Sequence, residues 1–449
     1  MSSRVWVLKS EELERRPGWL PLPDGAWSTA VLKPNWIRDY NELDPDDAAR
    51  LDETVTSPNV LLAVAAELRN RAKHLIVADA PQFDTNWKRL QERLDIQGML
   101  DRARDRGLEL EVRDLRQEVV RTDANGVILE RHIQNGDPEG YKVVDLGDLS
   151  AFAASGFDFK ALRGADYDAE VTIRHHSNGK HEYCVAGTIL GADLVVNVPK
   201  AKTHKKSGVT LCLKNLVGIN GNKNYLPHHR AGGPEQGGDE FPGGKGGLYR
   251  RARAWMIDRA RPLLKHGAFL SLVRPLRVLD LRTRPAQLIR NGNWWGNDTI
   301  WRMILDLNRV LIYADRRGSI QRERQRSVFH VIDGIVAGEG EGPMSPTRRN
   351  MGLLIVSEDP VAADIVTSAL MGFDPFRIPV IRHACEQHPL PITKVCSDGS
   401  DLEIMFGGRV LHDWRELPNL AFRPHSGWAG HIERTDRDAS DIGARPLAS

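Results

Sequence analysis

Apolar runs that stop abruptly at proline, glycine or charge recur along the first part of the chain. "STAVLKPNW" (28–36) is such a run and predicts a buried strand ending at Lys33-Pro34. Ser57-Pro58 then opens "NVLLAVAAELRNRA". Serine suits the cap and proline the first turn, so a helix is predicted there. "HLIVADAP" (74–81) predicts the next strand, and "LELEVRDL" (108–115) another after the stop at Gly107. Strands alternating with helices predict an α/β fold built on a doubly wound, mostly parallel sheet.

The rhythm changes over 116–190. "EVVRTDANGVILERHI" alternates around Asn125-Gly126, and "AEVTIRHHSNGKHEYCVAG" has a similar centre at Asn178-Gly179. Both predict hairpins, hence a β-rich insertion. "ADLVVNVPK" (192–200) resumes the sheet. "HHRAGGPEQGGDEFPGGKGG" (228–247) is too rich in glycine to pack a core and predicts a mobile loop. A helical insertion follows over 248–318, with "DTIWRMILDLNRVLIYADRRG" as its amphipathic part. "SVFHVIDGIVAGEGEGP" predicts a strand and then an acidic glycine loop. "MGLLIVSEDPVAADIVTSALMG" predicts a strand and a helix stopped at Gly372. The expected organisation is an N-terminal extension (1–28), an α/β core (29–415) and a polar tail (416–449).

Composition narrows the partners. The net charge of +2 over 449 residues argues against nucleic acid as a partner and makes any basic surface local. The start of the chain has charge where a signal peptide needs an apolar stretch. No apolar run reaches the roughly 20 residues of a membrane span. The four cysteines form no CxxC pair, so no zinc or iron–sulfur motif is spelled and a reducing cytoplasm is expected. Oligomerisation is compatible with all of this.

The chemistry concentrates at predicted strand ends, where open parallel sheets bind ligands. The first strand ends in Lys33 and Asn35 and the second in Asp79. The third runs into Lys200, Lys202 and His204. "VFHVID" ends in Asp333, followed by Glu339 and Glu341. If 207–216 is helical, Ser207, Thr210 and Lys214 share one face and Val209, Leu213 and Leu216 another. A partly desolvated Lys214 could then act as a base or amine nucleophile, or else extend to water. His204 could be a metal ligand, a general base or an oxyanion donor. His228 and His229 could complete a metal site with His204 or be plain loop residues. Asn215 closes the segment. Lys200, Lys202 and Lys205 suit an anionic group, and Glu339 and Glu341 suit hydroxyls or a hard cation. Asp359 and Asp364 could also hold a metal, although acids at a helix start favour the macrodipole by themselves.

Together "VLKPNW", "ADLVVNVPKAKTHKKSGVTLCLKNLVG", "HVIDGIVAGEGEGP" and "SEDPVAADIVTSALMGFD" resemble the uncharacterised family called domain of unknown function 362, in the right order from about 30 to 385. Many of its members carry a ferredoxin-like cysteine cluster. This chain has none, so no iron–sulfur cluster is expected. The spacing of His204 and Lys214 is also similar to the N-terminal domain of nickel-pincer lactate racemase. That resemblance implies a divalent metal or a Lys214-tethered nickel-type cofactor, with His228 or His229 as a further metal ligand.

The expectation is an enzyme for a small anionic ligand, a hydroxy acid or sugar acid, using proton transfer of a racemase, epimerase or lyase kind. The alternative is a binding or maturation protein for an anionic polymer or a protein partner. That alternative rests on the Arg-rich 248–290 segments, where Trp255 and leucines interleave the cations.

Overall fold

The structure is a computed structural model and describes residues 3–13, 18–43, 51–122, 128–164, 168–243 and 289–435. Its strands are β1 (Ser3–Lys9), β2 (Trp27–Pro34), β3 (Ala72–Asp79), β4 (Leu110–Asp114), β5 (Glu118–Thr122), β6 (Ile128–Ile133), β7 (Tyr141–Asp145), β8 (Leu162–Arg163), β9 (Glu182–Ala186), β10 (Leu194–Val198), β11 (Lys200–His204), β12 (Gly208–Thr210), β13 (His229–Arg230), β14 (Ser327–Glu341), β15 (Ser345–Ser357), β16 (Leu402–Phe406) and β17 (Arg409–Leu411). The α-helices are α1 (Pro58–Glu67), α2 (Trp87–Arg93), α3 (Ile96–Asp105), α4 (Ala169–His175), α5 (Gly187–Gly191), α6 (Cys212–Asn215), α7 (Ile300–Tyr313), α8 (Pro360–Leu370) and α9 (Pro379–Ala384).

One large sheet organises the chain in the order β17-β16-β1-β15-β14-β10-β2-β3-β4, with β11 and β12 branching from β14. The run β14-β10-β2-β3-β4 is parallel throughout. Alternate residues feed opposite cores. Val31, Ile76 and Val195 pack with α5 to α8 on one face. Leu32, Val77 and Val196 pack with α1 and α3 on the other. Burial on both faces explains why these strands read as unbroken apolar runs. Each such side chain contributes about 1.5–3 kcal/mol. The mixed α/β architecture therefore matches the expected class, and the parallel run puts the ends of β2, β3 and β10 on one edge.

Several local expectations are corrected. The N-terminal segment is not an appendage, because β1 lies between β15 and β16 in the sheet. The first hairpin forms as β5–β6, although its turn lies outside the described residues. The second does not form. Asp168 caps α4 by accepting from the Glu170 amide at 3.0 Å, and Asn178-Gly179, both at positive φ, turn the chain from that helix into β9, which pairs with β7 instead.

Residues 207–216 are not one helix. Gly208 adopts φ +81°, and Val209 and Thr210 continue as β12 against β11, so only Cys212–Asn215 coils as α6. Their β-branched side chains favour the strand. The acidic glycine stretch is not a loop either. β14 runs through it to Glu341 and pairs with β15 as a long hairpin.

The glycine-rich segment is pinned as far as it is described. Asp239 accepts from the Arg230 amide at 2.6 Å, and His229 and Arg230 pair with β8. Residues 244–288, which include most of the Arg-rich segments, lie outside the described residues. The expected polar tail packs down through Phe422, Trp428 and Ile432, all buried. Among the described residues, no helix is long and apolar enough to cross a membrane.

Candidate functional site

The parallel register sets the floor of a cleft at the ends of β2 and β3. Lys33 Nζ lies 2.6 Å from Asp79 Oδ1, with both side chains almost wholly buried. The other Asp79 oxygen accepts from the Trp36 amide at 2.8 Å. Gly218 presses against this pair. A Cβ there would stand 2.0 Å from Asp79 Oδ1 and 2.4 Å from Lys33 Nζ, so only glycine fits. The cavity above holds about 230 Å³. That is room for a small metabolite.

Amides tie the strand ends together. Asn197 Nδ2 donates to the Cys212 carbonyl at 2.9 Å, which can only accept, so the orientation of this amide is fixed. Its Oδ1 accepts from Asn215 Nδ2 at 2.7 Å, and Asn215 Oδ1 accepts from Asn35 Nδ2 at 2.8 Å. The relay ends at Asn35 Oδ1, which is buried and has no hydrogen-bond partner among the described residues. Asn35 and Asn215 both line the cavity.

α6 presents Lys214 to the same cavity. Asp364 on α8 accepts the amides of Cys212 and Leu213 at 2.7 and 3.1 Å and so holds the start of this single turn. Burial pushes the Asp364 carboxyl up to about 7, against the pull of those two amides. Lys214 is 9 % exposed, and among the described residues its amine meets no acid within ion-pair distance and no acceptor. Burial first, and then the charge of Lys33, lower its pKa to about 8, while Asp79 opposes. Lys223 lines the cavity as a second amine. It donates to the Val217 carbonyl at 3.1 Å and is lowered by burial to about 7.

Two imidazoles line the cavity in opposite states. His204 Nδ1 accepts the amides of Lys206 and Ser207 at 3.0 and 3.2 Å. A nitrogen that accepts N–H bonds carries no proton, so the proton of this ring is on Nε2. Burial, then the surrounding lysines with Lys214 foremost, hold His204 well below the usual histidine range. The ring is a neutral Nε2–H donor. A metal-binding histidine instead donates its second nitrogen outward. His204 therefore lacks the arrangement a metal ligand needs. His228 is the reverse: its Nδ1 meets the Leu226 carbonyl at 2.9 Å, so that nitrogen carries the proton and Nε2 the lone pair. Burial lowers it to about 3.

His229 is not among the cavity residues; its backbone pairs with Arg163. Among the described residues, no group of three or more His, Cys, Asp or Glu side chains could hold a metal ion. Asp359 caps α8 by accepting from Val361 and Ala362, so it and Asp364 serve helix starts.

The remaining expected residues lie elsewhere. Lys200 and Asp333 face each other at 2.6 Å with 1 % and 0 % exposure, closed off from the cleft. Lys202 is fully buried and donates to the Thr54 carbonyl. Glu339 pairs with Arg423 at 3.0 Å and Glu341 with His425 at 2.9 Å, both along the β14–β15 extension. The cleft thus gathers Lys33, Asn35, Asp79, His204, Lys214, Asn215 and His228 and leaves out Lys200, Lys202, His229, Asp333, Glu339 and Glu341. Sequence reasoning missed Lys223 and Arg38. Lys223 lies between two asparagines after Gly221, a turn signal that marked its backbone and not its direction. Arg38 bridges Glu42 and Asp84 at 2.7 and 2.8 Å on the cavity wall.

Over 71 residues the chain is 37 % identical to a thylakoid-associated protein of Synechocystis sp.; the match covers 15 % of this chain and 22 % of that protein. A crystal structure of a Thermotoga maritima protein aligns with a TM-score of 0.29 and 11 % identity, covering 78 % of this chain and 53 % of that one. The chain thus spans well under two thirds of either protein. The resemblance to nickel-pincer lactate racemase is not confirmed by these comparisons. The family model described as a domain of unknown function, DUF362, matches residues 112–369, more than half of the sequence, and the chain belongs to that family.

Proposed function

We propose that this protein is an enzyme that acts on a small anionic metabolite, a hydroxy acid or sugar acid, by proton transfer in the cleft at the ends of β2, β3 and β10. The observation that carries the reading is the Lys214 amine. It is buried, opens on the cavity, and has no acid partner among the described residues. A buried cation without a counter-ion is unfavourable, so an anionic ligand would stabilise it. Its lowered pKa puts a neutral amine within reach of physiological pH.

A divalent metal fits the donor set poorly, because His204 presents an N–H. A covalent tether on Lys214 remains chemically available to a neutral amine. The Arg-rich stretch behind the polymer-binding alternative lies mainly outside the described residues and adds nothing to either reading.

The test is exchange in D₂O. Lactate, malate, glycerate and gluconate are incubated with the full chain and followed by proton NMR, with binding measured in parallel by calorimetry. At least one acid should bind and exchange a carbon-bound proton, and Lys214→Met should lose the exchange while remaining folded. Equal exchange in Lys214→Met, or no binding of any acid, would sink the proposal.

A further inference from the structure

The state of the His204 ring limits what the cleft can do with a proton. Both acceptor bonds to Nδ1 come from backbone amides in the turn that follows β11, at 3.0 and 3.2 Å. Backbone N–H groups cannot reverse their role. The Gly342 carbonyl accepts from the Lys205 amide at 2.9 Å, and the Lys205 carbonyl accepts from Trp428 Nε1 at 2.9 Å, so the turn is held from both sides. A 180° flip of the ring would place a carbon where both amides point. The tautomer is therefore built into the backbone.

The other end of the ring is different. Among the described residues, His204 Nε2 has no hydrogen-bond partner, and the residue lines the same cavity as Lys214. A base needs a lone pair facing its substrate, and this ring faces the cavity with N–H. A general acid would have to leave an imidazolate behind, which is far out of reach at neutral pH. What remains is hydrogen-bond donation without proton transfer. That is the role of a neutral imidazole beside a developing oxyanion.

We propose that His204 is a fixed, neutral N–H donor to a carboxylate or carbonyl oxygen of the substrate, and that the cleft removes a proton from the carbon beside that group with Lys214 as base. This rests on the proton-transfer reading above and names its reaction class. The step balances without an oxidant or a reductant. The neutral Lys214 amine takes the proton as the C–H bond breaks and a new N–H bond forms. The electron pair moves into a carbon–carbon double bond, and the negative charge collects on the oxygen that accepts the His204 bond. Return of the proton to either face, or departure of a group on the next carbon, completes an epimerisation or an elimination.

The test separates donor from scaffold. Glutamine at this position places an N–H near the Nε2 site, whereas asparagine places an acceptor near the Nδ1 site. In the D₂O assay, His204→Gln should keep the exchange within about tenfold of the parent protein. His204→Asn, which satisfies the turn and loses the donor, should fall by about 10²–10³-fold, the usual effect of removing one oxyanion donor. The reverse order, or equal rates in both, would show that His204 only pins the turn and would overturn the proposal.

¹⁵N NMR of the imidazole in the full chain checks the ring itself. A single neutral Nε2–H form is expected from pH 5 to 9, unchanged by added Zn²⁺ or Ni²⁺. A titrating imidazolium, an Nδ1–H form or a metal-induced shift would each overturn it. If the parent protein exchanges no acid at all, both this proposal and the proton-transfer reading fail. Exchange that is indifferent to the Gln and Asn variants removes only the role of His204.

Discussion

The fifteen residues from Lys200 to Lys214 supply two regions with opposite electrostatics. In one, along β11 and β14, three pairs are closed: Lys200 sits on Asp333, and the rim acids Glu339 and Glu341 sit on Arg423 and His425, while Lys202 meets only the Thr54 carbonyl among the described residues. In the other, at the cleft, Lys214 and the His204 Nε2–H open on a cavity with no acid partner among the described residues. The Lys200–Asp333 pair and the Lys214 amine are both buried. The difference is whether the counter-charge is built into the fold or has to arrive with a ligand. A closed pair contributes to stability only through its own geometry, while an open amine destabilises the empty protein and is available for chemistry.

That contrast can be broken from the closed side first. Asp333→Ala leaves Lys200 buried without its partner and should lose about 3–5 kcal/mol in urea unfolding. A loss under about 1 kcal/mol would mean that the pair is no more committed than the cleft amine.

From the open side, Lys214→Met should do the opposite. The folded protein holds this proton less tightly than the unfolded chain, since burial lowers the pKa from 10.5 to about 8. The penalty therefore grows as pH falls from about 10 to 8 and is constant below that, on the order of 3 kcal/mol. Lys214→Met should be more stable than the parent by about 1–3 kcal/mol at pH 7, with the gap closing near pH 10. A destabilised variant at pH 7 would refute the picture of an uncompensated amine. The same shift predicts that exchange rises about tenfold per pH unit below pH 8 and levels off above it.

Asp364→Asn probes the support beneath the open side. It should lose about 1–3 kcal/mol, because two amides at the start of α6 lose a carboxylate acceptor. Labelling of Lys214 by an amine reagent, read by peptide mass, should change its pH midpoint in this variant. An unchanged midpoint would show that α6 holds its place without Asp364. The smallest effect is expected at the rim, where Arg423 is largely exposed. Arg423→Ala should change stability by about 0–1 kcal/mol.

The cleft was partly legible from the chain. The β2 and β3 endings, Lys33-Pro34-Asn35 and Asp79, follow from apolar runs that stop in polar chemistry, and parallel topology brings them to one edge. The Lys200 and Asp333 ends were placed in the same cleft by the same reasoning. They fail because β14 does not stop at Asp333: β15 extends it to Glu341, and β11 pairs alongside it. A strand that continues past the sheet edge closes its side chains against a neighbour. Lys223 was missed for a related reason, since a lysine in a turn shows its direction only once the turn has been placed.

The sequence by itself determined the α/β class, the capped first helix, the family motifs and the residue types that could bind an anion. Those depend on local pattern, which is written in neighbouring residues. Only the tertiary structure decided which lysines meet a carboxylate, which amide relay ends at Asn35 without a partner among the described residues, and which nitrogen of His204 holds the proton. Each of those depends on groups far apart in the chain, or on the exact dihedrals of a three-residue turn. The approach of Asp364 to α6 spans about 150 positions and has no counterpart in any local pattern.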